Sequence, residues 1–417
     1  MLARASARYV VVVTAALALA ACSQATEPHG PPAELRDLPR DLSSAELQLI
    51  DASNSFSFAL WNKVSGSQRD ENVFISPLSA SFALGMTLNG AANQTFDQMR
   101  TALQVDGVSQ QDINAGYKSL IALLTSLDQS VTMLIANSIW YRRSFPVNQS
   151  FIDAARSYFD SEVQGLDFNN VSGSLGAING WVNQKTNGKI PKILDGIDPA
   201  DVMFLINALY FHGSWREKFD PSKTTDDVFT TAPGFTQPMR LMHRHAEMRY
   251  LETASYQAVD LPYGNSAFAM TVLLPKPGTD IETLSAGLTH TGWRSLASGF
   301  HNAEVELAVP KFRLEYGRTM NDDLKALGMV VPFEANVADF TRMSSLGKQL
   351  YISFVKQNTF VNVDEEGSEA AAVTVTGIRL TSAASYSVMR VDRPFLFVIR
   401  ERLSSTVLFM GKVVRIP

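Results

Sequence analysis

EEGSEAAAVTVT, Glu365 to Thr376, decides how the chain is to be read, because its two halves suit different structures. The first half is small and flexible. The second, VTVT, alternates β-branched residues as a strand does. Successive strand residues point to opposite faces, so Ser368, Ala370, Ala372, Thr374 and Thr376 would share one face and Glu369, Ala371, Val373 and Val375 the other. The first face is small and uncharged; the one charge, on Glu369, falls on the second. Such a segment can stand out as a loop or be buried as a strand, and Gly367 just before it gives the backbone a pivot.

Around it are 417 residues of globular composition, 46% hydrophobic, 18% charged and 10% aromatic, with enough apolar mass for a sizeable core. Ser43 and Glu46 are spaced as a capping box, and Leu47, Ile50, Phe58 and Trp61 follow at helical intervals, which predicts a first helix to about Val64. SPLSASFALGMTLNG, Ser76 to Gly90, predicts a second, with proline early and Asn89-Gly90 as its stop. Helical signals dominate to about Asn187. From Val202 strands take over: VMFLINALYF and Phe268 to Pro275 are buried apolar runs. Glu304 to Val309 alternates with period two, and PFLFVIRERLSSTVLFMGKVV reads as two strands joined by a short polar turn. No repeat and no proline-rich or glycine-rich linker interrupts 42–417, so helices first and strands later favour one α+β domain.

The amino end reads differently. Arg4 and Arg8 precede an apolar run, Tyr9 to Ala21, too short to span a bilayer but of the length of a secretory signal core. It ends in LAAC, Leu19 to Cys22, small residues before the single cysteine, which resembles the lipobox of bacterial lipoproteins. That resemblance implies a signal peptide at 1–21 and lipid on Cys22; stable attachment takes more than one acyl chain, which lipoprotein modification supplies. Ser23 to Asp41, polar and proline-rich, reads as a flexible tether, giving a 22–41 lipidated linker before a 42–417 domain. An exported, membrane-anchored protein of the cell envelope is expected, and Ser23 in place of an aspartate points to the outer membrane or cell surface. The net charge of −5, more negative once Arg4 and Arg8 are removed, argues against nucleic acid. One cysteine allows no intramolecular disulfide, so packing alone must stabilise an exported fold.

Catalytic patterns are missing: there is no G-x-S-x-G, no H-E-x-x-H, no G-x-x-x-x-G-K-[ST] and no Rossmann glycine pattern. His243 and His245 would share one face of a strand, but no third ligand of matching spacing follows, so a strand surface is expected rather than a metal site. Trp181, Trp215 and Trp293 read as core. ANQTFDQMRTALQV lacks a basic stripe, which gives no polyanion site. No cofactor is expected.

Four ordered blocks then carry a family resemblance: Asn72 to Ala92, Ile178 to Ile190, Leu205 to Pro221, and the closing DRPFLFVIRERLSSTVLFMGKVVRIP. Together they resemble the serpin family over essentially all of 42–417. The resemblance implies a large central β-sheet with helices at one side and end, smaller sheets and an exposed reactive loop. VDEEGSEAAAVTVT resembles the hinge of that loop, carried here by Glu365, Glu366, Gly367, Ser368, Glu369, Ala370, Ala371, Ala372, Val373 and Thr374. In such proteins a protease cuts the loop, which inserts as a new central strand; the handful of known strand-addition systems includes serpins.

The resemblance further implies a suicide-substrate inhibitor, not an enzyme, whose partner is a target protease, serine or alternatively cysteine, held in a covalent acyl complex by a monomer. Family spacing from the hinge puts the attacked bond at Thr381-Ser382, and counting back from DRPF puts it near Ala383-Ala384. Small residues there imply elastase-like or subtilisin-like targets; Arg379-Leu380 would suit a trypsin-like one. Ser76, Ser79 and Asn207 match the family's polar cluster under the sheet, and Trp215 matches the tryptophan where the loop first enters. Gln357 stands where that cluster usually has histidine, and glutamine hydrogen-bonds but does not titrate near neutral pH.

Overall fold

The computed structural model describes residues 32–198, 201–368 and 386–417. In the first half, helices α1 (Ser44–Ser67), α2 (Pro77–Leu88), α3 (Asn93–Ala102), α4 (Gln110–Ser126), α5 (Gln149–Phe159) and α6 (Val171–Lys185) alternate with strands β1 (Val73–Ile75), β2 (Val131–Arg142) and β3 (Glu162–Leu166). Strands then dominate: β4 (Met203–Ser214), β5 (Thr225–Ala232), β6 (Phe235–Glu252), β7 (Tyr256–Pro262), β8 (Phe268–Pro275), β9 (His301–Pro310) and β10 (Phe312–Thr319). They are followed by β11 (Lys356–Val363), β12 (Gly367–Ser368), β13 (Ser387–Arg390), β14 (Phe395–Glu401) and β15 (Val407–Val413). Three short helices lie among them, α7 (Ile281–Gly287), α8 (His290–Gly299) and α9 (Asn321–Lys325).

Local chemistry sets the helix starts. At α1 the Ser43 hydroxyl accepts from the Glu46 amide while the Glu46 carboxylate accepts from the Ser43 amide at 2.7 Å, the reciprocal pair that the spacing predicts. At α2 Ser76 is the N-cap and proline opens the first turn. One feature of the helical half differs from expectation: β2 is a 12-residue strand. Its sequence, VTMLIANSIWYR, mixes small and polar residues among the apolar ones, and its pairing with β4 along Val131 to Tyr141 supplies the strand character that periodicity does not.

Two sheets organise the described residues. One runs β1-β15-β14-β8-β7-β6-β9-β13, with β5 on β6, and the other runs β10-β11-β12-β4-β2-β3. Helix α2 lies under the second sheet, and α6 crosses its opposite face, where Ile178 and Val182 pack with Trp140, Phe204 and Ile206. On β4 the even positions Phe204 and Ile206 therefore face α6, while Phe211 on the odd face stacks edge-on against Tyr263 and Phe268 in the main core.

Of the expected tether, the residues from Pro32 onward are described, and they are laid along the body. Leu35, Leu38 and Leu42 pack against the main core. The Leu35 amide donates to the Asn265 carbonyl at 2.7 Å, and Arg216 Nη1 donates to the Pro32 carbonyl at 2.6 Å. The three leucines find apolar partners among otherwise polar residues, which a count of composition averages away. Residues 22–31, including Cys22, lie outside the described residues.

Candidate functional site

The segment from Glu365 to Ser368 enters the second sheet. Gly367 pairs with Ser214 and Ser368 with Gly213 on β4, and Ser368 also pairs with Val363 on β11. Among the described residues, β12 is what joins β4 to β11. Glycine is required at 367: its φ is +156°, and a β-carbon there would lie 2.2 Å from the Gly213 carbonyl oxygen and 2.6 Å from the Ser214 α-carbon. The Ser368 side chain points into the core, its hydroxyl 2.9 Å from the buried Tyr263 hydroxyl. Burial raises the Tyr263 pKa, and the Ser368 contact works against that shift.

Trp215 holds the base of this segment. It is 2% exposed, lies flat on Tyr263 with ring centroids 4.5 Å apart, and its indole NH donates to the Asp364 carbonyl at 2.9 Å. Its backbone amide donates to the Glu366 carbonyl at 2.8 Å, and the Phe219 amide to the Glu365 carbonyl at 2.9 Å. Around it the two glutamates are paired: Glu365 with Lys311 at 2.5 Å and with the Thr224 hydroxyl at 2.7 Å, Glu366 with Lys218 at 2.6 Å. Burial pushes the Glu365 carboxyl up, but the hydrogen bonds from Lys311 and Thr224 outweigh it and hold the group below its ordinary value.

Below this point the polar cluster ties each flanking strand to the start of α2 separately. From β4, Asn207 Oδ1 accepts from the Ser79 hydroxyl, and its amide donates to Asn137 Oδ1 at 2.6 Å. From β11, Gln357 makes two bonds to the Ser76 backbone, accepting from its amide and donating to its carbonyl, both at 2.8 Å. The Ser76 hydroxyl donates to the Leu408 carbonyl at 2.8 Å. Glutamine thus fills the cluster position with a matched donor and acceptor, and every member of the cluster is non-ionisable. Beside it, between the lower ends of β4 and β11, lies a cavity of about 370 Å³ whose lining includes Ser79, Met203, Phe204, Asn207, Val355 and Gln357.

The remaining predicted positions divide plainly. Trp215 and Trp293 are buried, and Trp181 packs at the edge of the α6 cluster. His243 and His245 both lie on β6 with different partners, Thr225 at 3.0 Å and Glu304 at 3.3 Å. Hinge residues Glu369 to Thr374 and the bond candidates Arg379, Leu380, Thr381, Ser382, Ala383 and Ala384 lie outside the described residues. Thr224, Lys311, Tyr263 and Asn137 belong to the site but carry no local signal in the sequence, since each reaches it only through the fold.

Comparison with known proteins agrees with this geometry. The serpin (serine protease inhibitor) family model matches residues 51–416. Serpin B6 of Pongo abelii is 33% identical over 87% of this chain and 98% of its own length. Leukocyte elastase inhibitor A of Mus musculus is 30% identical over 88% of this chain and 99% of its own length. The native-state crystal structure of the thermophilic serpin tengpin superposes with a TM-score of 0.80 at 30% identity, covering 92% of this chain and 97% of that one. With the family model matched over most of its length and these relatives alongside it, the chain belongs to the serpin family.

Proposed function

We propose that this serpin is a suicide-substrate inhibitor of serine proteases, trapping the acyl-enzyme by inserting its cut loop between β4 and β11. One observation carries the proposal: the hinge begins inside the sheet, in register with both flanking strands and with Ser368 facing the core. Continued in the same register, Ala370 would oppose Phe211, Ala372 would oppose Leu209, and Thr374 would come between Asn207 and Gln357. All are small and uncharged, and Glu369 would fall on the α6 side, opposite His212.

About a dozen new backbone hydrogen bonds at roughly 0.5–1.5 kcal/mol each give a driving force on the order of 10 kcal/mol. A single unpaired charge buried on the core face would cost several kcal/mol and slow insertion enough for the protease to finish hydrolysis. Ala372→Glu is therefore expected to convert inhibitor into substrate, read as a steep rise in the inhibitor consumed per protease molecule blocked. An unchanged stoichiometry would count against insertion.

The small residues from Thr381 to Ala384 suit proteases with shallow primary pockets, elastase-like or subtilisin-like, with Thr381-Ser382 as the attacked bond. Likeness to a leukocyte elastase inhibitor fits that preference. The lipobox-like LAAC supports a lipid on Cys22 that anchors the inhibitor to a cell envelope. Mixing the purified protein with such a protease is expected to give a complex that survives boiling in detergent, and mass analysis of the released peptide identifies the bond. Cleaved product alone with every protease tried would favour a non-inhibitory serpin.

A further inference from the structure

The cavity beside the polar cluster, about 370 Å³ in volume, lies in the layer of the second sheet itself. Ala83 and Leu84 of α2 close it on one side and Ile193 and Leu194 of the segment after α6 on the other. Leu205 of β4 and Val355, just before β11, form its edges. This volume falls at the lower end of the range for small-molecule pockets, about 300–1,000 Å³. Two exposed aromatic side chains border it, Tyr351 at 46% and Phe354 at 37% exposure. Exposed apolar surface rimmed by polar residues is characteristic of ligand grooves.

Polar groups on the walls are already engaged. The Ser79 hydroxyl donates to Asn207, the Thr87 hydroxyl donates to the Ala83 carbonyl at 2.7 Å, and Gln357 uses both ends of its amide on Ser76. Asn179 holds the backbone of the covering segment: its Oδ1 accepts from the Ile193 and Leu194 amides at 2.9 and 3.0 Å, and its amide donates to the Leu194 carbonyl at 2.9 Å. The charged lining residues, Asp198, Asp201 and Lys356, are exposed or half-buried. Asp201 accepts from the Asp198 amide at 2.7 Å, and Lys356 pairs with Asp195 at 3.1 Å. The other polar lining residues, Gln349, Tyr351 and Ser353, are exposed. Among the described residues, none of the buried side-chain polar atoms without a partner belongs to this lining. Water inside therefore finds few open partners, whereas an apolar molecule gains by leaving bulk water.

We propose that this cavity binds a small, neutral, unbranched apolar molecule of the medium-chain aliphatic class, and that this molecule and the inserted loop exclude each other. An unbranched chain suits a cavity that follows the gap between two strands. The exclusion rests on the inhibitory reading above: continued in register, the inserted strand would set Thr376 between Leu205 and Val355, the two edges of the cavity. A molecule seated there favours the uninserted form by mass action.

Calorimetric titration of the purified intact protein with 1-octanol and 1-hexanol tests the site without any protease. One saturable site is expected, with affinity rising about fourfold per added methylene, the gain from burying each one. Ala83→Leu fills the cavity from α2 and should weaken octanol binding by about tenfold or more, as losing contact with two methylenes does. Phe354→Ser, at a position 37% exposed, should weaken it severalfold. Val228→Ser, at an exposed apolar position on β5 outside the cavity, should leave it unchanged. A melting curve verifies that each variant folds. Non-saturable uptake, equal affinity for the two alcohols, or undiminished binding in both Ala83→Leu and Phe354→Ser overturns the site. Loop-cleaved protein should lose octanol binding, because the strand then fills the gap. Binding that survives a cut which has raised the melting temperature overturns the exclusion, whereas a cut that leaves the melting temperature level overturns the inhibitory reading and not the site.

Discussion

Glu365 and Gly367 sit two residues apart and do opposite jobs, one fixing the chain by charge and the other by having no side chain. The folded-state pKa of Glu365 is depressed, so the stability from its contacts is present above the ordinary glutamate value of about 4.3 and is lost as pH falls through the folded value. Glu365→Gln should cost on the order of 1 kcal/mol at neutral pH, discounted because Lys311 is partly exposed. That gap should narrow in urea melts as pH falls below the ordinary glutamate range; an equal gap at neutral and strongly acid pH would contradict the ion-pair role. Gly367→Ala should cost about 1–3 kcal/mol, because its β-carbon can be accommodated only by moving the β4 backbone. Faster amide exchange at Gly213 and Ser214 would be the signature. Of the expected hinge, Glu365 to Ser368 lie among the described residues, and the glycine there was legible in the sequence because a pivot without a side chain is a local property. Lys311 and Thr224 were not, since nothing near either residue records that Glu365 folds against them from 54 and 141 positions away.

At the scale of elements, the proposed insertion requires β4 and β11 to part, and each is pinned to the start of α2 by its own side-chain bonds. Gln357→Leu leaves the buried Ser76 amide and carbonyl without those partners and should cost about 2–4 kcal/mol. Because no member of the cluster ionises near neutral pH, that cost should be flat between about pH 5 and 8. Gln357→His should instead make stability vary over the same range; denaturant melts at several pH values separate the two. Most strands of the second half were readable from apolar runs such as β8, every residue of which is buried. β2 was not, since its strand state comes from pairing with β4, and the N-terminal leucines were not, since proline and charge surround them.

For the molecule as a whole, β4 and β11 are joined among the described residues through β12, and on the proposed function cutting the loop lets the segment that follows Ser368 complete the sheet. Loop-cleaved protein should therefore melt far above the intact form, whereas a cut in an ordinary surface loop leaves the melting temperature level or lower. The serpin architecture could be read from sequence because its blocks keep their order along the chain. A crystal structure of the loop-cleaved protein is the most direct measurement. The account predicts residues 369–378 as a strand between β4 and β11, continuing the Ser368–Gly213 register and setting Thr374 between Asn207 and Gln357. Direct pairing of β4 with β11, with the cut segment outside the sheet, would contradict it.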